Sequence, residues 1–311
     1  MNSKAFSTLL KRELWENKGS LVWTPIIVAA VLALLSFWVV IRGAYEIGVS
    51  PEFHLDGEIV QVERLAAKLN ELSADDRLMA LKAGLSGLRA PFDLLLLIVL
   101  PFYCVAALYD ERKDRSIYFW RSLPVSDLHS VLAKLVTVVV VFPAVAIVAA
   151  AALQFVWMLI ATGLSWYVGV GAWSTVWAPS RLPLFWLSSY FHYVLMLLWL
   201  LPVFALHLLL SATTKRPLLI AIVLPLALLL LEELVSGTDY IAHWIQERAI
   251  GTFTLLWGDM RDMDKFDGGY PFANYSHGLE VFGNGQFWFG LVLSAVFVAG
   301  AVWARRRLHE V

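Results

Sequence analysis

The chain has 311 residues, 59% of them hydrophobic and 16% charged, with a mean hydropathy of +0.70 and a formal net charge of −1. This composition excludes an ordinary soluble domain and offers no basic surface for nucleic acid, so the charges matter by where they sit along the chain. The lone cysteine, Cys104, lies in an apolar run and excludes an intrachain disulfide.

Residues 1–20 are basic and polar. Phe6, Leu9, Leu10 and Leu14 share one helical face, with Lys4, Lys11, Arg12 and Lys18 largely elsewhere, which predicts an amphipathic helix along a membrane surface. Glu13 falls inside the apolar stripe, and two readings fit it: a carboxylate snorkelling to solvent, or an ion pair with a basic residue of the 109–134 segment. The apolar stretch that follows is too long for a signal-peptide core and reads as an uncleaved first span.

Six stretches are long enough to cross a bilayer: 21–41, 91–109, 131–162, 183–210, 217–235 and 286–304. An even number puts both termini on one side. Segments 1–20, 110–130, 211–216 and 305–311, with Lys134 at the border, hold 14 of the 24 Lys and Arg residues, so the predicted orientation is N-in and C-in. The predicted class is an all-α membrane protein of six transmembrane helices, multi-pass in the cell (inner, cytoplasmic) membrane. The third and fourth spans exceed the bilayer and contain Pro143 and Pro202, which predicts tilt, a kink or extension beyond lipid. Trp23 and Trp38, and likewise Trp288 and Trp303, are 15 residues apart, about 22 Å on a helix, a spacing that suits two interfacial aromatic belts.

Between the spans, residues 43–90 read as an outer, helical segment, with an amphipathic run from Glu58 to Leu72 followed by Ser73 and Asp76 in capping positions. Residues 109–134, YDERKDRSIYFWRSLPVSDLHSVLAK, are a charged and aromatic island too polar for lipid. There Asp114 can cap a short helix presenting Ile117, Phe119 and Trp120; Pro124 ends it, and Ser126 with Asp127 can cap the next. Residues 236–285 read as irregular, rich in Gly, Asp and aromatics, and join 43–90 in a small outer cap.

Catalytic motifs are few and incomplete. No G-x-x-x-x-G-K-[ST] occurs, so ATP hydrolysis would need a separate subunit. Gly84-Leu85-Ser86-Gly87 fits an intramembrane protease G-x-S-G, but Ser86 sits among Lys82, Arg89 and Asp76 in an outer segment. Glu232-Glu233 lacks the Arg that its protease motif requires. Asp262, Asp264 and Asp267 before Gly268 and Gly269 break calcium-loop spacing and read as a solvated turn, so no metal site is expected. Within the spans, Gln154, Ser189, His192 and Tyr193 either satisfy one another and the backbone or line a translocation path, whereas Asp93 and His207 read as interface residues near span ends.

The run acidic-Arg (Asp114, Arg115), Ser116, a hydrophobic stretch (Ile117, Phe119, Trp120), then Leu123-Pro124-Val125-Ser126 and a Lys entering the next span closely resembles the cytoplasmic loop of ABC-2 type transporter permeases. The amphipathic start and the basic Arg305, Arg306 and Arg307 end are similar to that family as well. The resemblance implies that residues 1–20 are a cytoplasmic interfacial helix and 21–311 a six-span permease domain. It implies that the 110–130 loop is a coupling helix, with Asp114 to Pro124 docking an ATPase. Many family members have Gly where this chain has Arg115. The implied partners are two ABC ATPase subunits, a second permease copy or homologue, and membrane lipids. No cofactor is implied on this chain, ATP and Mg belonging to the ATPase, and the implied function is export of a lipid, peptide or drug-like substrate. A reading from another class is a non-transporting membrane sensor or scaffold signalling to a cytosolic partner.

Overall fold

A computed structural model of the chain describes residues 3–46, 52–55, 58–61, 73–122, 125–167, 171–257 and 279–307. Helix α1 (Ser3–Glu16) leads through a π turn (Gly19–Trp23) into α2 (Thr24–Glu46). Strands β1 (Glu52–Leu55) and β2 (Glu58–Gln61) pair antiparallel, Phe53 opposite Val60. Helix α3 (Ala74–Ala107) runs into the short helices α4 (Tyr109–Lys113) and α5 (Ser116–Ser122). Then come α6 (Asp127–Val136), a π turn (Thr137–Val141) and α7 (Phe142–Tyr167). A third π turn (Trp173–Trp177) precedes α8 (Leu182–Trp199), α9 (Leu201–Thr213), α10 (Pro217–Val235), α11 (Tyr240–Trp257) and α12 (Gly285–Arg307).

Six stretches are long and apolar enough to cross a membrane: Gly19–Val40, Leu81–Lys113, Asp127–Trp166, Trp173–Trp199, Pro217–Val235 and Gly285–Arg307. Each overlaps one of the six predicted spans, the fourth only in part, and together they define a multi-pass helical membrane protein. Pro217 is the one buried residue of α10, and its exposed Leu and Val side chains suit contact with lipid. Trp23, Trp38, Trp288 and Trp303 all lie on the outside of the bundle, 54–56% exposed, as the belts require.

The three π turns have one cause. Each ends two residues before a proline: Trp23 before Pro25, Val141 before Pro143, Trp177 before Pro179. A proline ring clashes with the carbonyl four residues back and donates nothing to it. Widening the preceding turn, so that Thr24 N–H reaches Gly19 O, Phe142 N–H reaches Thr137 O and Ala178 N–H reaches Trp173 O, moves that carbonyl aside. At Pro143 the third span thus continues through a widened turn and does not break.

Other expectations need correction. The fourth span does not run unbroken from 183 to 210: Leu200 (φ −82°, ψ 0°) divides α8 from α9, because Pro202 in the first turn of α9 cannot continue the ladder. The expected helix from Glu58 begins as strand β2, and residues 62–72 lie outside the described residues. Residues 240–257, read as irregular, form helix α11, which Glu232 starts by accepting from the Ile241 and Ala242 N–H groups. Ser86 lies inside α3 and is nearly buried, not in an outer segment. The acidic turn of Asp262, Asp264 and Asp267 lies outside the described residues.

The core runs the length of the bundle, from Tyr103, Cys104 and Leu108 on α3 through Phe142, Met196 and Phe204 to Phe287 and Ala304. Helices α9 and α12 pack side by side, and α1 and α12 both reach α6. The first helix, the 109–134 loop and the last turn of α12 thus gather at one end of the bundle.

Candidate functional site

The loop is built on a strained turn. Arg115 adopts the left-handed conformation (φ 56°) that glycine takes freely, so this chain keeps a glycine-type turn with an arginine. Asp114 does not cap α5; it closes α4, its N–H bonding Asp110 O at 2.9 Å, and its side chain is exposed. Arg115 O instead accepts from Tyr118 N–H, and Ser116 Oγ reaches back to Glu111 O at 3.4 Å. Ser126 caps α6 as predicted, accepting from His129 N–H at 3.3 Å.

The aromatic surface differs from the expected one. Ile117 is fully buried and pins α5 to the bundle, while Tyr118 and Phe119 are exposed (47% and 60%). Trp120 is half-buried, edge-on to Phe119 at 4.9 Å, with the Arg12 guanidinium 3.9 Å over its ring. Seven residues of helix have room for one inward anchor, and the apolar Ile117 takes that place. Leu123 and Pro124 lie outside the described residues.

Behind α5 lies a buried ion network. Glu13, 1% exposed, accepts from Lys134 Nζ at 3.0 and 3.1 Å, from Tyr103 Oη at 2.8 Å and from Arg12 at 2.6 Å. Glu111 meets Arg12 at 2.8 Å, Lys134 at 3.0 Å and Arg305, whose Nε also holds Asp127 at 3.0 Å. Three cations (Arg12, Lys134, Arg305) face three anions (Glu13, Glu111, Asp127), which is what burial demands. Burial alone would lower the pKa of Arg12, but the nearby carboxylates of Glu13 and Glu111 outweigh it and raise it. Of the two readings of Glu13, the ion pair holds, with Lys134 as its partner.

The same end is tied to α9. Ser211 Oγ accepts from the N–H groups of Leu108 and Tyr109 (3.0 and 2.8 Å), where α3 gives way to α4. Arg112 donates to the carbonyls of Ser211 and Thr214 at 2.8 and 2.7 Å, at the negative end of α9. The short helices of the loop are therefore fixed to α1, α6, α9 and α12 together.

Sequence reasoning missed Glu111, which looks like one member of a solvated charge run. It also took Arg305 only as part of a basic end. The available signal was the opposite charges of Glu13 and Lys134, each bordering an apolar stretch.

Toward the other end, several polar residues of the spans bond one another and the backbone, while the buried Ser189 Oγ meets no hydrogen-bond partner among the described residues. Gln154 donates to Leu85 O at 2.8 Å and accepts from Trp186 Nε1 at 2.7 Å; His192 Nδ1 lies 2.8 Å from Ser188 O. Tyr193 Oη donates to Asp93 at 2.5 Å, and Arg89 bridges Asp93 (3.2 Å) to Leu256 O (2.8 Å). Asp93 is fully buried and pairs inside the protein, so it is not the interface residue expected. Ser189 is buried beside this set. Gln154, Ser189, His192 and Tyr193, the four predicted path residues, are each held within the bundle.

Among the described residues, no group of three or more His, Cys, Asp or Glu could hold a metal. Fold and site together define a multi-pass helical membrane protein with an exposed aromatic helix anchored by a buried ion network. The chain matches no protein-family model, no curated protein and no solved structure.

Proposed function

We propose that this chain is the permease subunit of an ATP-driven exporter of ABC-2 type in the cytoplasmic membrane. Its N-terminal helix and 109–134 loop would lie on the cytoplasmic side, and α5 would dock a separate ATPase subunit. One observation carries this reading: Tyr118 and Phe119 are exposed on a short helix that Ile117, Arg12 and the Glu13–Glu111–Lys134–Arg305 network hold rigidly to the spans. A force applied to Phe119 passes through the buried Ile117 and the Trp120–Arg12 contact, and then through buried ion pairs, to α1, α6 and α12. That is the mechanical requirement of a coupling helix. Two such permeases with two ATPases would move a lipid, peptide or drug-like substrate outward, ATP and Mg remaining on the ATPase.

Phe119→Ala is expected to weaken association with the co-expressed ATPase at least about tenfold, as a central aromatic anchor does, with membrane insertion unchanged. Trp120→Ala is expected to keep part of the association and to lose turnover, since it removes the contact to Arg12. A complex that retains its ATPase and its turnover with both changes refutes the docking assignment.

A further inference from the structure

Arg248 lies midway along α11 and is 3% exposed. Its guanidinium sits 4.2 Å from the Trp199 ring centroid and 5.0 Å from that of Trp244. Nη1 donates to Trp199 O, at the break between α8 and α9, and Nη2 donates to Gln286 O at 2.5 Å. Two glycines make this room. A Cβ at Gly290 would collide with the guanidinium, and one at Gly251 would come within 2.7 Å of the Trp199 ring.

Among the described residues, no group that Arg248 meets is an anion. Arg12, Arg89, Lys134 and Arg305 each meet a carboxylate, whereas Arg248 meets only carbonyls and rings among the described residues. Arg112 also bonds carbonyls, but Arg248 lies against the ring of Trp244, whose donor Nε1 hydrogen-bonds nothing among the described residues, and bonds the backbone of Gln286, whose buried acceptor Oε1 likewise hydrogen-bonds nothing there. Its own Nε is likewise unsatisfied among the described residues. Burial pushes the pKa of Arg248 down to about 10, so it stays charged at neutral pH. A buried cation with spare donors and no counter-ion is costly, and an anion relieves that cost.

The depth is informative. Gln286 opens α12, and Arg305 near its other end belongs to the ion network behind the docking helix. The nineteen residues from one to the other span about 28 Å of helix, close to the roughly 30 Å hydrocarbon thickness of a bilayer. Arg248 therefore lies near the membrane face opposite the docking loop, at the level of lipid headgroups.

We propose that Arg248, Trp244 and Gln286 form a recognition site for a phosphate-bearing headgroup at that face. Phosphate oxygens accept from Arg248 Nε and Trp244 Nε1, and a headgroup hydroxyl or amine donates to Gln286 Oε1. A phosphate at Nε supplies the counter-ion that the carbonyls bonded to Nη1 and Nη2 do not. The site is remote from the docking helix and stands independently of the permease reading.

The test uses the purified full chain in detergent, with phosphatidylglycerol, phosphatidylcholine and inorganic phosphate as probes, read by native mass spectrometry and thermal unfolding. Phosphatidylglycerol, which has both net charge and hydroxyl donors, should be retained and should raise Tm more than phosphatidylcholine does. Trp244→Phe keeps an aromatic ring and removes the N–H, and is expected to weaken phosphatidylglycerol retention about tenfold. Arg248→Gln should abolish the preference, and Phe119→Ala should leave it intact. An equal response to inorganic phosphate, lost in Trp244→Phe, supports the same chemistry with a soluble ligand. Indifference to all three probes, or retention unchanged in Trp244→Phe, overturns the site; if Arg248→Gln does not fold, Trp244→Phe alone distinguishes the two outcomes.

Discussion

Lys134→Met tests the ion network most directly. The change keeps the bulk of the stem and deletes a charge that sits 3.0 and 3.1 Å from Glu13 and 3.0 Å from Glu111. Removing one partner of a buried pair costs about 3–5 kcal/mol. The lower end applies here, because Glu13 keeps Arg12 and Tyr103 while Glu111 keeps Arg12 and Arg305. The network falls from neutral to one excess negative charge. Glu13→Gln produces the mirror imbalance, one excess positive charge, and is expected to cost a similar amount, about 3 kcal/mol. Combining the two restores neutrality, so the double variant should lose about 3 kcal/mol and not the additive value of about 6, a coupling of about 3 kcal/mol. Denaturant unfolding of the detergent-solubilised chain, followed by tryptophan fluorescence, measures all three. Additive losses in the double variant would show that the two side chains do not share a buried network.

Other expectations follow from single residues. Arg115→Gly should stabilise the chain by about 0.5 kcal/mol, the relieved left-handed strain of roughly 1 kcal/mol exceeding the added chain entropy; Arg115→Ala keeps the strain and should bring no gain in the same denaturant assay. Gly251→Ala should cost about 1–3 kcal/mol by forcing a methyl against the Trp199 ring, while Gly84→Ala, with nothing within 4 Å, should be neutral or slightly stabilising. Glu16, half-exposed, has its pKa raised, chiefly by desolvation and against the attraction of Arg12. A folded pKa above the unfolded one means that its contribution to stability is present at low pH and is lost as pH rises through the folded value. Glu16→Gln should therefore flatten the fall in Tm just above the usual carboxylate range, and a steeper fall in the variant would reverse that assignment.

Much of the architecture could be read from the chain because lipid imposes a simple rule: long apolar runs become helices, and each of the six has a counterpart, the fourth displaced to Trp173–Trp199. The break at Leu200 was harder to see, since Pro202 lies in an unbroken apolar run and proline within a span often bends it without ending it. The residues of the 109–134 loop were legible as a set but not in their division. Ile117, Phe119 and Trp120 are near neighbours in one short run, and which of them turns inward depends on where α1 and α6 lie. Asp93 was misplaced because Tyr193, 100 residues on, reaches it only in the folded bundle, although Arg89, one turn back on the same helix, was already a neighbour. Charge balance is a property of the assembled end, and Glu111 and Arg305 are 194 residues apart.

That separation bears on the order in which the chain assembles. When five spans are in place and the sixth is not, Glu111 and Asp127 lack Arg305, and the network carries one uncompensated negative charge at the base of the first helix. A chain ended before Arg305 should thus hold its N-terminal helix loosely. Insertion of the last span completes the neutralisation around Glu111, which Arg12 of α1 also holds, so the last turn of α12 bears on how firmly the first helix is seated.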